Sequence, residues 1–133
     1  MDTRGDFLLP ADDERFLHEF GLRWETVKDG AQWLLLHDFS LPQGYNTDTA
    51  SVAILIVAGY PITPLDMAYF YPALQRADGR PIKATESLQE ICGKKWQRWS
   101  RHRTAVNPWI PGQDSIESHL LLVQDWLARE FRQ

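Results

Sequence analysis

The residues with the clearest chemical potential lie in the stretch Trp96–Thr104, which reads WQRWSRHRT. Ser100 stands two residues before His102 in it, and residues at that spacing point to the same side of an extended chain. A serine hydroxyl becomes an effective nucleophile when a neighbouring base accepts its proton. The pair therefore suits nucleophilic catalysis, with His102 as general base and general acid. The alternative is a loop serine that bonds only to the backbone.

The same stretch is strongly cationic and has no clean hydrophobic period. Between Lys94 and Arg103 there are five lysines and arginines and no acidic residue, although the chain carries a net charge of −4. Burying such a segment would cost more than it contributes, so the pattern predicts a surface that acts on a partner. Arg101 and Arg103 are suited to orienting a carboxylate or an acidic patch. A solvated positive face is the alternative.

Cys92 is a second candidate nucleophile. It is the sole cysteine of the chain, and the neighbouring Lys94 and Lys95 favour the reactive thiolate form. The alternative is an inert cysteine that packs behind the apolar residues Leu88 and Ile91.

Composition limits the class of protein. The 133 residues suffice for one domain, residues 1–133, whose hydrophobic core is large enough to be stable without a disulfide or a structural metal. Net negative charge argues against nucleic-acid binding, and no run approaches the roughly 18 apolar residues that span a membrane. A single cysteine and the charged start Met1–Asp6, which has no apolar signal region, favour a cytoplasmic protein. The four histidines are widely spaced and there is no second cysteine, so a metal site is not expected.

The elements that must position these residues are a helix, four antiparallel strands and a second helix. Asp12 or Asp13 is expected to cap the first helix, and Gly21 to end it. Strands are predicted at four apolar or alternating runs, residues 22–27, 31–39, 51–58 and 67–71. The alternation in the second run assigns one face to five residues: Ala31, Trp33, Leu35, His37 and Phe39.

From Pro72 to Pro111 the regular pattern fades, apart from a turn signal at Asp78-Gly79. Asp114 is then expected to cap the last helix, with Glu117 completing a capping box. The apolar face of this helix comprises Ile116, Leu120, Val123, Trp126, Leu127 and Phe131. The order of elements predicts one α+β domain, and a segment this long without regular structure is usually functional.

Three motifs in this order resemble the ubiquitin-conjugating enzymes. The sequence Tyr60-Pro61-Ile62-Thr63-Pro64 follows a buried strand, like the Tyr-Pro-x-x-Pro turn between the third and fourth strands of that family. Trp109-Ile110-Pro111 stands where its Trp-x-Pro element precedes the second helix. The string Trp96–Arg103, with the later Asp114 and His119, resembles the prokaryotic family E of these enzymes more narrowly.

The resemblance covers residues 11–131 and implies a truncated ubiquitin-conjugating-like fold: a helix, a four-stranded meander, a long active-site loop and a helix. It implies a bacterial acyl transferase that accepts the C-terminus of a ubiquitin-like protein from an adenylating activating enzyme and passes it to a target. The resemblance implies that this chain itself binds no cofactor, since ATP would be used by the activating enzyme. Operons of this family also encode a deconjugating peptidase, and antiphage defence is the expected setting.

Spacing within the family separates the two nucleophile candidates. The family nucleophile lies shortly before the Trp-x-Pro tryptophan; Ser100 precedes Trp109 by nine residues and Cys92 precedes it by seventeen. This favours an oxyester on Ser100, with a thioester on Cys92 as the rival. Asp114 is interpreted as a helix cap and His119 as a core histidine, with a catalytic role for either as the alternative.

One departure from the family bears on its catalytic centre. The His-Pro-Asn motif is replaced by Tyr71-Pro72-Ala73, so oxyanion support is expected from Asn107, Arg101 or backbone N–H groups. The loss also favours an alternative function, a non-catalytic scaffold that binds the activating enzyme or the ubiquitin-like protein. By analogy with the family, acidic residues of the first helix are expected to contact the activating enzyme. The residues expected at partner surfaces are Asp12, Asp13, Glu14, Glu19 and Arg103.

Overall fold

An antiparallel sheet of six strands carries two helices on one of its faces. The computed structural model describes residues 3–132. The strands are β1 (Trp24–Lys28), β2 (Gln32–Ser40), β3 (Thr49–Leu55), β4 (Ala68–Tyr71), β5 (Leu88–Ile91) and β6 (Lys94–Trp99). Helix α1 (Ala11–Phe20) precedes the sheet, and α2 (Ile116–Arg129) follows it and runs into a short 3-10 turn. The strand order is β1-β2-β3-β4-β6-β5.

The predicted α+β class is confirmed, but the prediction of four strands is wrong. The first four strands form the expected meander, and the segment expected to be irregular contains the hairpin of β5 and β6. Its turn is Cys92-Gly93, whereas Asp78-Gly79 forms a turn that joins no strands. The hairpin escapes sequence patterning because Trp96 packs on one face of the sheet and Trp99 on the other. A strand buried on both faces does not alternate.

Strand β6 enters the sheet beside β4, not at the edge. Ala68 of β4 is paired with Trp99 of β6, and β5 forms the edge on the far side. Ser100, which follows β6 directly, therefore lies at the end of an interior strand whose position is held by a fully buried tryptophan. The topology gives the predicted nucleophile a rigid support.

Helix α1 begins earlier than predicted. It starts at Ala11 behind Pro10, and neither Asp12 nor Asp13 caps it. Asp13 is only 5% exposed, because its carboxylate turns inward and accepts a hydrogen bond from the Tyr60 hydroxyl at 2.6 Å. The predicted end is confirmed: Gly21 has φ 88°, the left-handed conformation that closes a helix at little cost to glycine.

Helix α2 begins one residue later than predicted. Ser115 is its N-cap, and the Ser118 hydroxyl accepts a hydrogen bond from the Ser115 N–H at 2.9 Å. Asp114 instead accepts from the Ile110 N–H at 2.7 Å and so closes the preceding turn, while Glu117 takes no part in the cap. The predicted apolar face is confirmed at its four buried positions: Ile116, Leu120, Val123 and Leu127.

The two faces of the sheet bury different clusters. The helix-covered face holds the larger core, in which Leu17 of α1 and Leu120 of α2 pack on the strands. The other face, hereafter the open face, carries a smaller cluster contributed by strand residues and their flanks. Its buried members are Val27, Trp33, Leu35, Ala53, Tyr69, Ile91 and Trp96.

A β-bulge in β2 overturns part of the predicted alternation. The pairing of β2 with β3 shifts between Leu36 and Phe39, and Asp38 in the bulge has φ 58°. Trp33 and Leu35 lie on the open face as a pair, but the extra residue turns Phe39 to the helix-covered face. The bulge leaves His37 at the end of the open face.

The ends of the expected domain, Met1, Asp2 and Gln133, lie outside the described residues. Among residues 3–132 no helix combines the length and the apolar composition that crossing a membrane requires.

Candidate active site

Ser100 continues the line of β6 into the loop that leads to α2. Its backbone N–H donates to the carbonyl of Ala84 at 3.1 Å, and the residue is half-buried. No hydrogen bond within residues 3–132 engages its hydroxyl. The backbone is therefore held in place while the hydroxyl stays available, as a nucleophile requires.

His102 is paired with an acidic residue that sequence reasoning missed. Its Nδ1–H donates to the carboxylate of Asp66 at 2.8 Å, with 62% of the histidine side chain and 45% of the aspartate side chain exposed. A carboxylate on Nδ1 leaves Nε2 as the proton acceptor that points away. Asp66 lies in the β3–β4 connection and reaches His102 because β4 and β6 are neighbours, a pairing that the sequence did not reveal.

The predicted contact between Ser100 and His102 is not formed, since no hydrogen bond joins the two side chains in the described structure. Arg101, the single residue between them, and the residues on to Thr104 have no regular secondary structure. The site therefore contains a serine and an oriented imidazole that are separated by one residue and do not contact each other in the described structure.

Arg101 anchors the loop to the protein. Its guanidinium donates to the carbonyl of Lys83 at 2.8 Å and lies 4.8 Å from the ring centroid of Trp99. Stacking on an indole together with a backbone hydrogen bond holds the strand end on which Ser100 sits. The expected oxyanion role of Arg101 has no counterpart in these contacts.

Arg103 points inward, whereas a partner surface was expected. Its side chain is mostly buried, 4.8 Å from the centroid of the Trp109 ring and 3.9 Å from the Asp114 carboxylate. Two of its nitrogens, Nε and Nη2, are buried without a hydrogen-bond partner in the described structure. It cannot present its charge to an acidic partner in this conformation, so the contact predicted for it is corrected to an internal one.

Asn107 occupies an exposed turn, in which its N–H donates to the Thr104 carbonyl at 3.0 Å. No described hydrogen bond connects its side chain with Ser100. Its predicted support of an oxyanion stays a prediction.

The motifs behind the family resemblance meet in space. The indole N–H of Trp109 donates to the Pro61 carbonyl at 3.0 Å, and its ring lies 6.2 Å from the Tyr60 ring. The Tyr60 hydroxyl donates to Asp13 and accepts the Ile116 N–H at 2.9 Å, so it ties α1 to the start of α2. Burial raises the pKa of Tyr60, and burial likewise raises the pKa of Asp13. Through these contacts Tyr60 and Trp109 join the β3–β4 connection to the segment that leads into α2.

His119 is a core histidine. It is buried beside Trp126, and its Nε2–H donates to the Met67 carbonyl at 2.8 Å. Burial lowers its pKa, and the nearby Arg103 lowers it further, so the ring is neutral at neutral pH. It supports the backbone next to Asp66 and lies too deep to meet a substrate.

Cys92 is remote from Ser100. It occupies the exposed hairpin turn with φ 51°, its N–H donates to the Asp29 carboxylate at 2.6 Å, and its sulfur accepts from Arg4 Nη1 at 3.3 Å. The six residues of β6 separate it from Ser100 by about 20 Å. The two candidate nucleophiles therefore belong to different sites.

The acidic residues of α1 divide into two groups. Asp12 and Glu19 are exposed, while Glu14 is half-buried and accepts the Leu9 N–H at 3.1 Å. Asp13 is buried against Tyr60, so the partner contact predicted for it is wrong. The acidic surface of this helix is smaller than its sequence suggests.

Within the described residues, no group of three or more histidine, cysteine, aspartate and glutamate side chains is arranged to hold a metal ion. The Ser100 site brings a serine, an imidazole and a carboxylate to one end of β6.

Comparison with protein families shows which family the chain resembles. The model of the family described as Prokaryotic E2 family E matches residues 9–130. No curated protein and no solved structure matches the chain. The matched range includes α1, all six strands, the loop with Ser100 and His102, and α2, which confirms the resemblance seen in the sequence. The chain belongs to the prokaryotic E2 family E.

Proposed function

We propose that this protein is a ubiquitin-like-protein conjugating enzyme that carries the C-terminus of its ubiquitin-like protein as an oxyester on Ser100. Family membership supports a role in ubiquitin-like conjugation. The observation that carries the finer proposal is the Asp66–His102 pair, two residues beyond a serine whose hydroxyl is unengaged in the described structure. Base-assisted attack requires a hydroxyl that is free to react and an imidazole that can accept its proton.

The reaction needs two acyl transfers. In the first, the Ser100 hydroxyl attacks the carbonyl of the thioester on the activating enzyme, His102 Nε2 takes the hydroxyl proton, and the thiol leaves with a proton. In the second, an amine of the target attacks the Ser100 ester and gives a proton to His102, and the resulting imidazolium returns that proton to the serine oxygen as the ester bond breaks. An oxyester is less activated than a thioester, so this second step depends strongly on His102.

Exposure of the site suits a macromolecular donor. Both members of the Asp66–His102 pair lie at the surface, where the tail of a folded protein can approach. Before transfer, His102 Nε2 must come within hydrogen-bond distance of the Ser100 hydroxyl, and because Arg101 between them is anchored, this movement falls to His102 and the irregular residues that follow it. Docking of the tail is therefore the event that assembles the nucleophile and its base.

The proposed partners are a ubiquitin-like protein and an adenylating activating enzyme. On the α1 surface, Asp12 and Glu19 are the exposed acids that remain for the contact with the activating enzyme, and Glu14 lies between them. Charges at the rim of such an interface mainly raise the association rate and are screened by salt. Two further parts of the proposal, a deconjugating peptidase as a partner and a role in antiphage defence, are supported only by family membership.

Cys92 is the rival nucleophile because it is exposed and accepts a hydrogen bond from Arg4. A thioester there would place the carried protein at the other end of β6. The scaffold alternative would leave both residues unmodified.

Intact-mass spectrometry distinguishes these outcomes. The protein is incubated with ATP and with the activating enzyme and ubiquitin-like protein encoded beside it, and each adduct is challenged with reductant and with hydroxide. We expect an adduct that resists reductant, yields to hydroxide and is absent from Ser100→Ala. Ser40→Ala, which removes an exposed serine of β2, is the matched control and should retain the adduct.

An adduct that is lost in Cys92→Ala and cleaved by reductant would replace the oxyester by a thioester. The absence of any adduct, with an activating enzyme that forms its own thioester, would favour the scaffold.

A further inference from the structure

The open face of the sheet contains a cavity of about 470 Å³. One part of its wall is apolar, formed by Val27, Leu35, Ile91 and Trp96. The cavity lies on the face opposite the helices, and the hairpin turn that carries Cys92 forms part of its rim. Its volume lies in the range of small-molecule sites.

A serine, a histidine and a glutamate form a continuous hydrogen-bonded chain in the wall of this cavity. The Ser51 hydroxyl donates to Nδ1 of His37 at 2.8 Å, and Nε2–H of His37 donates to the Glu25 carboxylate at 2.7 Å. The second carboxylate oxygen of Glu25 accepts the Arg4 N–H at 3.0 Å. These partners fix the tautomer, since a carboxylate can only accept, so the proton lies on Nε2 and the bare Nδ1 faces the serine.

The fold aligns these three residues across three neighbouring strands. Glu25 lies on β1, His37 on β2 and Ser51 on β3. His37 reaches this place by the regular alternation from Trp33 and Leu35, and its two partners lie on the strands on either side of β2.

The chain of hydrogen bonds is shielded from water. The side chains of Glu25 and His37 are only 13% and 15% exposed. Although burial opposes it, hydrogen bonds from the Arg4 N–H and from His37 lower the pKa of Glu25, so the carboxylate is ionised at neutral pH. A shielded anion that holds one nitrogen of an imidazole while the other nitrogen faces a hydroxyl is the arrangement by which a serine is activated.

We propose that Ser51 is the nucleophile of a second acyl-transfer centre, which hydrolyses small esters or thioesters that carry a short apolar acyl group. His37 is its general base and acid, and Glu25 is a positioning residue. The apolar part of the cavity wall accommodates the acyl group. Arg23 and Lys94 line the same cavity, take part in no described ion pair, and are the positive charges available to a developing oxyanion.

The reaction balances with water as the only co-reactant. The Ser51 oxygen attacks the acyl carbon while its proton passes to His37 Nδ1, and the leaving alcohol or thiol takes that proton as the acyl–oxygen or acyl–sulfur bond breaks. Water then attacks the acyl-serine, assisted by the same nitrogen. The products are a carboxylic acid and an alcohol or thiol, and Ser51 is regenerated.

The test treats the full chain, without any conjugation partner, with a fluorophosphonate probe and with p-nitrophenyl butyrate. The probe forms an oxygen–phosphorus bond to an activated serine and expels fluoride, and peptide mass spectrometry locates it. We expect the label on Ser51 in the wild-type protein and about a 100-fold slower ester hydrolysis in Ser51→Ala and in His37→Asn. Ser40→Ala, which changes a β2 serine that takes no part in these hydrogen bonds, should retain the wild-type rates.

Glu25→Gln tests the positioning role. We expect kcat to fall about 10-fold with KM unchanged, whereas a role in folding alone would lower the active fraction and leave the rate per labelled molecule intact. No label on Ser51 in the wild-type protein, or hydrolysis unchanged in Ser51→Ala, would overturn the proposal. A label on Ser100 instead would also overturn it while identifying the reactive serine of the conjugation site.

Discussion

The surface site (Ser100, His102 and Asp66) and the open-face cavity (Ser51, His37 and Glu25) each contain a serine, a histidine and a carboxylate. They differ in exposure and in whether the serine contacts the histidine. In the surface site, the Asp66–His102 pair is exposed and has not yet reached Ser100. In the cavity, the glutamate, histidine and serine are shielded and already connected through two short hydrogen bonds. The serine–histidine contact is therefore formed in the cavity and not formed in the surface site.

This difference follows from the backbone beneath each site. The cavity residues lie on three adjacent strands, whose ladders fix their separation. Ser100 and His102 share one non-repetitive segment that is anchored at its start by Arg101 and farther on by Trp109. A preformed site suits a small substrate that can enter a cavity, whereas a site completed on docking suits a protein tail.

Removing one histidine at a time should separate the two sites by the largest effect. We expect His102→Ala to slow adduct formation with the ubiquitin-like protein by about 100-fold, because the serine loses its base, and to leave ester hydrolysis unchanged. His37→Asn should do the reverse. Single-turnover adduct formation and p-nitrophenyl butyrate hydrolysis, measured on both variants, check this. Equal losses in both assays would show that the two regions are not independent.

Removing the carboxylate of the surface pair should have a smaller effect. Asp66→Asn keeps a hydrogen-bond acceptor for His102 Nδ1 but loses the charge that stabilises the imidazolium. Because the pair is exposed and its charges are partly screened, we expect about a 10-fold loss in the rate of adduct formation. Asp48→Asn, an exposed aspartate outside the pair, serves as the control. An unaltered rate in Asp66→Asn would make the pair a structural contact.

Arg101 should affect the surface site through stability. Arg101→Ala removes the hydrogen bond to Lys83 and the stacking on Trp99, and we expect it to lower the free energy of unfolding by about 1 kcal/mol. Urea denaturation measures this, and adduct formation should slow several-fold as the strand end loosens. Arg15→Ala, an exposed arginine of α1, is a control expected to change little. A loss of ester hydrolysis in Arg101→Ala would contradict the separation of the sites.

The smallest effect is expected in the free energy of unfolding below pH 6.5, and it involves His119. Burial holds the folded-state pKa of His119 below its ordinary value of 6.5, so its contribution to stability is present above that pH and is lost as the pH falls through the lowered pKa. We expect the free energy of unfolding to decline as the pH falls from 6.5 towards 5. His119→Gln, whose amide can still donate to the Met67 carbonyl, should flatten this part of the curve. An identical decline in the variant would assign it to other groups.

Sequence patterning predicted the parts of the fold whose apolar residues form an unbroken run or a clear period. The apolar run of β3 predicted a strand, and the helical period of α2 assigned Leu120 and Val123 to the core. The β5–β6 hairpin could not be predicted, because Trp96 and Trp99 bury opposite faces and the charged residues between them obscure the strand.

The candidate sites were predictable only where their residues are neighbours in sequence. Ser100 and His102 stood out at a spacing of two, but Asp66 joins them through the pairing of β4 with β6. The hydrogen bonds that join Glu25, His37 and Ser51 depend on the register of three strands, which leaves no local signal in the sequence. His37 was assigned correctly to the open face, yet its two partners were not foreseen.

The most direct test of the conjugation site is to locate the carried tail by tandem mass spectrometry. The wild-type adduct, formed with activating enzyme, ubiquitin-like protein and ATP, is digested at acidic pH so that an ester survives, and the tail remnant is assigned to a residue. We predict a remnant on Ser100. A remnant on Cys92 would contradict the oxyester and move the reaction to the opposite end of β6.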